Sequence, residues 1–259
     1  MAENPFADGC AYIDEAYFPI AEARISIMDT GFTRSDVTYD VVAVWNGKFF
    51  RLNDHLNRFE RGWKRLRMNP DLSLTQMHDI LFECVSRSGL RNAYVEMIVS
   101  RGIDEEGSRD PRRFRNRFYA YAIPYVWIAK PEKQETGIHL IVAEKTIRIP
   151  ENAVHPTVKN FHWGDLVRGI YEAYDREGFT AVLPDAAGNI TEGPGFNVFV
   201  YHRGSLLTPE RGVLKGITRQ TIIDLANEEG IPVRLDMFGA DVLTAADEVF
   251  LTSTAGGVM

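Results

Sequence analysis

The spacing of apolar positions changes period several times along the chain, and each change predicts an element. CAYID (10–14) and YFPIAEARISIM (17–28) read as short strands broken by turns, and DTGFTRSD (29–36) as a polar loop. VTYDVVAVW (37–45) is β-branched and aromatic and ends at Asn46-Gly47, which favours a two-residue hairpin turn with KFFRL as the returning strand. From Asn53, a suitable N-cap, Leu56, Phe59, Trp63 and Leu66 recur at helical spacing. Ser73 caps a second helix with Leu74, Met77, Leu81 and Val85 turned inward, and Gly89 stops it. NAYVEMIVS (92–100) is a strand, RGIDEEGSRDPRRFRNR (101–117) a charged loop, and YAYAIPYVWI (119–128) a strand interrupted by Pro124.

KPEKQETG (130–137) is polar, with Pro and Gly, and reads as a connection between domains. Beyond it, IHLIVAEK opens as a strand and residues 163–177 form a helix ended by Gly178. FTAVLPD is a strand, and FNVFVY and SLLTP form a hairpin around Arg203-Gly204. ITRQTIIDLANEEG (217–230) is an amphipathic helix with Ile222, Ile223, Leu225 and Ala226 on its apolar side, and VFLTST closes as a strand. Both halves mix strands with helices, and hairpins are adjacent in the first. The expected class is therefore α+β, with domains at 1–128 and 138–259 joined by 129–137.

Composition narrows the function classes. The chain of 259 residues has 29 basic and 36 acidic side chains, a net charge of −7, so it lacks the basic excess of a general nucleic-acid binder. Cys10 and Cys84 lie far apart in sequence and make neither a cysteine-rich zinc site nor a disulfide framework; no metal is expected. No apolar run suits a signal peptide or a membrane span, so a cytoplasmic protein is expected.

Three short stretches carry chemistry. Seven of the basic residues are lysines, and Lys159 alone sits in apolar and aromatic company, HPTVKNFHW. Such surroundings favour the neutral amine that Schiff-base chemistry requires, although a lysine snorkelling past Phe161 and Trp163 fits the same pattern. Glu192, in TEGPGFNVF, stands among glycines where a carboxylate could meet a protonated ring nitrogen, or is an exposed turn residue. In GVLKGITRQ, Gly216 precedes a helix start with Thr218 in its first turn, which suits a phosphate or an ordinary cap. Arg58 is a surface charge or a second phosphate ligand. A neutralisable lysine, a carboxylate for a ring nitrogen and two phosphate-binding features are together the requirements of pyridoxal 5′-phosphate, PLP.

The sequence resembles the fold-type IV PLP enzymes, the class of branched-chain and D-amino-acid aminotransferases, and within it the (R)-selective amine transaminases. The resemblance rests on GFTRSDVTYDV (31–41), HLNRF (55–59), AYVEMIVSRG (93–102), PYVWI (124–128), PTVKNFHWGDLVRG (156–169), TEGPGFN (191–197), GVLKGITR (212–219) and TSTAGG (252–257), in order along nearly the whole chain. It implies two mixed α/β domains with the cofactor at their interface, and a homodimer. It implies that Lys159 bonds the cofactor and shuttles the proton, and that Glu192 pairs with the pyridine nitrogen. Arg58, the amides of Ile217 and Thr218, and Thr254 then hold the phosphate, while Leu214 packs on the ring. Tyr39, Val41, Tyr94, Glu96, Trp163 and Ala255 line the substrate side. The implied reaction is ping-pong transfer of an amino group from a primary (R)-amine to a keto acid such as pyruvate, the alternative being a D- or branched-chain amino-acid donor. Where those transaminases carry an arginine for the keto-acid carboxylate, this sequence has Glu106, and Arg109 or another arginine of the 109–117 cluster is expected to substitute. Chains of that family continue beyond the AGG turn, so a tail after Met259 is expected to be missing.

Overall fold

A computed structural model describes residues 5–104 and 106–259. They divide into two units, one running up to Val126 and including Val158–Phe161, the other Trp127–Thr157 with His162–Met259.

The first unit is built on a six-stranded antiparallel sheet. Its strands are β1 (Cys10–Ile13), β2 (Ala16–Pro19), β3 (Val37–Trp45), β4 (Lys48–Phe49), β5 (Ala93–Ile103) and β6 (Arg115–Pro124), in the order β2-β1-β6-β5-β3-β4. Its helices are α1 (Thr30–Arg34), α2 (Leu52–Arg65) and α3 (Leu74–Ser88). The register sets Tyr39 opposite Ile98, Val41 opposite Glu96, and Glu96 opposite Tyr121. Side chains alternate across the pleat, so these residues share one face. The other face carries Val42, Val95, Met97 and Ala120, which pack against Leu56, Phe59, Trp63, Met77 and Leu81 of α2 and α3. Burial of each such large apolar side chain contributes about 1.5–3 kcal/mol. The hairpin at Asn46-Gly47 has positive φ at both residues, as the dipeptide predicts. Ser73 and Gln76 form a reciprocal capping box on α3, and Gly89 ends it in the left-handed region.

Several expectations are corrected. Residues 29–36 are not wholly a loop, because the Asp29 carboxylate caps α1 by accepting the Gly31 amide at 2.7 Å. The second N-terminal strand ends at Pro19 rather than running to Met28. Helix α2 starts at Leu52 after Arg51, so Asn53 lies inside it and is not its cap. The charged loop shrinks from 101–117 to the stretch between Ile103 and Arg115, because β5 and β6 extend into it past a bulge. Gly102 is required at that bulge: its φ is +87° and a Cβ would sit 1.9 Å from the Arg115 carbonyl oxygen.

The second unit contains α4 (Pro131–Thr136), β7 (Leu140–Val142), α5 (Gly164–Asp175), β8 (Thr180–Val182), β9 (Glu192–Gly193), β10 (Phe196–His202), β11 (Ser205–Pro209), α6 (Ile217–Glu228), β12 (Val233–Asp236), α7 (Ala240–Thr244), β13 (Glu248–Ser253) and β14 (Gly257–Val258). Its main sheet has the order β12-β11-β10-β13-β14, with β9 on β10, and β7 and β8 pair separately in parallel. The stretch 130–137, read as a connection, holds α4, whose Gln134 side chain donates to the carbonyls of Ala129 and Gly256. On α6 the buried positions are Ile217, Arg219 and Ala226, whereas Leu225 is exposed and does not share the apolar side. No described helix is long and apolar enough to cross a membrane.

Candidate active site

Lys159 belongs to the first unit although the chain on either side of Val158–Phe161 belongs to the second. Strand β3 fixes it through its backbone: the Lys159 carbonyl accepts the Tyr39 amide at 3.0 Å and the Thr38 hydroxyl at 2.8 Å. Its ammonium lies 4.5 Å from the centroid of the Tyr39 ring, a cation–π contact, and the Phe161 ring packs 4.6 Å from that of Tyr39.

Tyr39, Val41, Tyr94 and Glu96 occupy the sheet face opposite α2 and α3. Glu96 is buried and accepts the hydroxyls of Tyr121 at 2.6 Å and Tyr94 at 3.3 Å. Burial pushes its carboxyl up, against the opposing effects of the Tyr121 hydroxyl, the Lys159 charge and the Tyr94 hydroxyl. Both tyrosines are pushed up as well, first by burial and then by Glu96.

The helix-facing side of β3 holds a polar cluster within the core. Asp40 accepts Nε and Nη2 of Arg58 on its two oxygens, each at 2.8 Å, and pairs with Nδ1 of His55 at 2.8 Å. Burial alone would raise the Asp40 carboxyl, yet Arg58 and His55 hold it well below the usual carboxylate range. Burial pushes His55 below its ordinary value, with Asp40 pulling the other way. A neutral His55 donating from Nδ1 to Asp40 satisfies both groups. His55 and Arg58 are one helical turn apart on α2, which explains why they reach the same carboxylate.

In the second unit the turn into β9 buries Glu192. Its Oε1 accepts Nε and Nη2 of Arg148, each at 3.2 Å. Its Oε2 accepts the Leu214 amide at 2.8 Å and Nδ2 of Asn197 at 3.4 Å. Arg148 also donates from Nη1 to Asp165 at 2.6 Å. Asn197 reaches the Leu214 carbonyl at 2.9 Å, tying Glu192 to the segment that leads into α6. That helix begins at Gly216 with no side-chain cap, and its Ile217 and Thr218 amides have no hydrogen-bond partner among the described residues. A Cβ on Gly216 would come within 2.2 Å of Asn197 Oδ1, so any side chain there would displace Asn197 or the start of α6.

Of the remaining expected positions, Trp163 precedes α5 and packs against the small core that includes Leu166 and Leu183. Thr254 follows β13, and the buried Ala255 receives the Ile128 amide on its carbonyl at 2.8 Å. Within the first unit the structure thus gathers Lys159, Tyr39, Tyr94 and Glu96, and separately Arg58. Within the second it gathers Glu192, Leu214 and the start of α6. Asp40, His55, Arg148 and Asn197 escaped the sequence reading. Only Asp40, His55 and Asn197 carried a signal, each standing inside a quoted motif. Glu106 does not stand alone in its loop, because it pairs with Arg113, while Arg112 pairs with Asp110.

Comparison with known proteins adds to this geometry. Residues 38–259 match the family model of amino-transferase class IV. A putative branched-chain-amino-acid aminotransferase of Methanocaldococcus jannaschii is 31% identical over 251 residues, spanning 96% of this chain and 85% of its own. A D-alanine aminotransferase of Listeria monocytogenes is 27% identical over 238 residues, 90% of this chain and 80% of its own. The solved structure of the T.th. branched-chain amino acid aminotransferase with pyridoxamine 5′-phosphate superposes with a TM-score of 0.88 at 26% identity, covering 97% of this chain and 84% of that one.

Proposed function

Since this chain belongs to the amino-transferase class IV family, we propose that it moves an amino group from a primary (R)-amine to a keto acid such as pyruvate. The fold is that of fold-type IV, and the enzyme is a PLP-dependent aminotransferase. The residues present suit that cofactor. They include a lysine amine held against an aromatic ring, a buried carboxylate whose two oxygens are both hydrogen-bonded, and a glycine-started helix with open amides. Such amides bind phosphate.

Bound PLP supplies the electron sink for the pair released when the substrate Cα–H bond breaks. Lys159 Nζ would hold the cofactor covalently and, as a free amine, would take the substrate proton and return it. Glu192 accepts the ring N–H. Arg58, the Ile217 and Thr218 amides and Thr254 hold the phosphate, and Leu214 packs on the ring. Tyr39, Val41, Tyr94, Glu96, Trp163 and Ala255 bound the substrate.

One observation carries the donor class. The face of the first sheet that bears Tyr39, Val41, Tyr94, Glu96, Ile98, Tyr119 and Tyr121 presents the Glu96 carboxyl, and the guanidinium on that face, Arg117 opposite Ser100, is paired with Asp14. A donor carboxylate approaching Glu96 would meet like charge, whereas an amine without a carboxylate meets none. The acceptor carboxylate falls to Arg109 or Arg115, which form no ion pair among the described residues, unlike Arg112, Arg113 and Arg117. The reading includes a homodimer, checked by light scattering. It also includes a cytoplasmic location, consistent with two free, buried thiols.

The test is a comparison of (R)-1-phenylethylamine, leucine and D-alanine as donors, each followed by the loss of PLP absorbance in the half-reaction without an acceptor. Reaction of the amine supports the reading. Reaction of leucine or D-alanine alone overturns it in favour of the second reading, an amino-acid aminotransferase, which the names of the relatives favour.

A further inference from the structure

Glu192 is not alone with its cation. Arg148 is buried, and two of its three nitrogens point at a single oxygen of Glu192, while the third is committed to Asp165. Asp165 lies in the first turn of α5 and also accepts the Ile149 amide at 2.6 Å. One guanidinium is thus shared between two carboxylates. The Arg148 backbone is fixed too, its amide donating to the Pro184 carbonyl at 2.8 Å. Glu192 Oε2 accepts two neutral donors, the Leu214 amide and the Asn197 side chain. Arg219, the other buried cation acting on Glu192, spends its own donors on the Thr208 hydroxyl and the Pro209 carbonyl.

A carboxylate in contact with a cation is a weaker base than one without, because protonating it forfeits the ion pair. When such a carboxylate shares a proton with a ring nitrogen, the proton's location follows the difference in basicity between the two. Arg148 touches the carboxylate directly, so it weakens that partner more than a ring one group further away.

We propose that Arg148 is a positioning residue that keeps the proton shared between Glu192 and bound PLP on the ring nitrogen. This rests on the assignment of Glu192 to that nitrogen. A protonated ring nitrogen is the state that draws electrons from the reacting carbon. Asp165 moderates the effect by drawing part of the Arg148 charge to itself. The two neighbours therefore act in opposite directions: loss of Arg148 makes Glu192 a stronger base, and loss of the Asp165 charge makes it a weaker one.

The experiment uses the holoenzyme reconstituted with PLP labelled with ¹⁵N in the ring, read by nitrogen NMR, together with steady-state kinetics. In the wild type the ring signal is expected to be that of a protonated pyridine. Arg148→Gln is expected to shift it towards the unprotonated position and to lower kcat with KM little changed. Arg148→Lys, which keeps the charge but loses the fork, is expected to recover part of both. Asp165→Asn is expected to leave the ring protonated, and it tests the idea even if Arg148→Gln does not fold. A wild-type ring signal in folded Arg148→Gln, or deprotonation in Asp165→Asn, overturns the proposal. An unprotonated ring already in the wild type, or a ring signal unmoved by Glu192→Gln, overturns the assignment of Glu192 instead.

Discussion

Arg58 grips Asp40 side-on, Nε to one carboxylate oxygen and Nη2 to the other, within the core between β3 and α2. The same carboxylate accepts its own chain neighbour, the Val41 amide, at 2.8 Å. Removing the charge leaves the guanidinium buried without its partner. Asp40→Asn is expected to cost about 3–5 kcal/mol in urea unfolding, the range for breaking one side of a buried ion pair.

The pH dependence follows from the same cluster. The Asp40 carboxyl is depressed in the folded state, so its contribution to stability is present above the ordinary carboxylate range and is lost as pH falls through the folded value. His55 is also depressed, below its ordinary 6.5. The unfolded chain therefore binds the His55 proton first, and stability drops as pH falls below that value. The urea midpoint should decline in two acid limbs, and His55→Asn should remove the first and leave the second.

Lys159 contributes little to the scaffold with its side chain, because β3 holds its carbonyl. Cation–π contacts like the one with Tyr39 are worth about 0.5–1 kcal/mol at exposed sites. Lys159→Ala should fold with nearly wild-type thermal stability. It should lose the borohydride-trapped PLP adduct by mass spectrometry and, from proton transfer alone, about 10²–10⁴-fold in kcat.

Much of this was legible in the chain. The β3 run, the Asn46-Gly47 turn and the Ser73 cap are local signals, and the structure reproduces them. Lys159 and Glu192 stood out by their neighbours. What was hidden depends on pairing across sequence. Helical spacing marks Leu56, Phe59 and Trp63 as inward but says nothing of His55 and Arg58 on the same face, because their acceptor Asp40 sits on a strand. Arg148 is one arginine among many until β9 brings Glu192 against it. The helical turn at Thr30–Arg34 was missed because a five-residue helix has too few positions to display a period.

Gly216 has an ordinary φ of −62°, so backbone strain does not demand a glycine there. The demand is steric: the Asn197 amide occupies the space of a side chain, and that amide also bonds the Leu214 carbonyl and Glu192. In Gly216→Ala either Asn197 or the start of α6 must move. The variant should bind PLP at least about tenfold more weakly, a loss of about 1.4 kcal/mol, with thermal unfolding of the cofactor-free protein changed less. Equilibrium titration of PLP absorbance and fluorescence checks it.

Glu96 offers a test of donor choice that also has a pH signature. Its carboxyl is pushed up by burial, so it ionises later than an exposed glutamate as pH rises. Rejection of a donor carboxylate depends on the ionised form, so discrimination against leucine relative to (R)-1-phenylethylamine should strengthen as pH climbs through the Glu96 transition. Glu96→Gln keeps the shape and a partner for Tyr121, whose hydroxyl can donate to the amide oxygen. It removes the charge, so the ratio of kcat/KM for leucine to that for the amine should rise about tenfold at high pH, for about 1.4 kcal/mol of repulsion relieved. It should also become flat across the pH range where the wild type varies. A ratio unchanged by the substitution at every pH would mean that Glu96 does not face the donor.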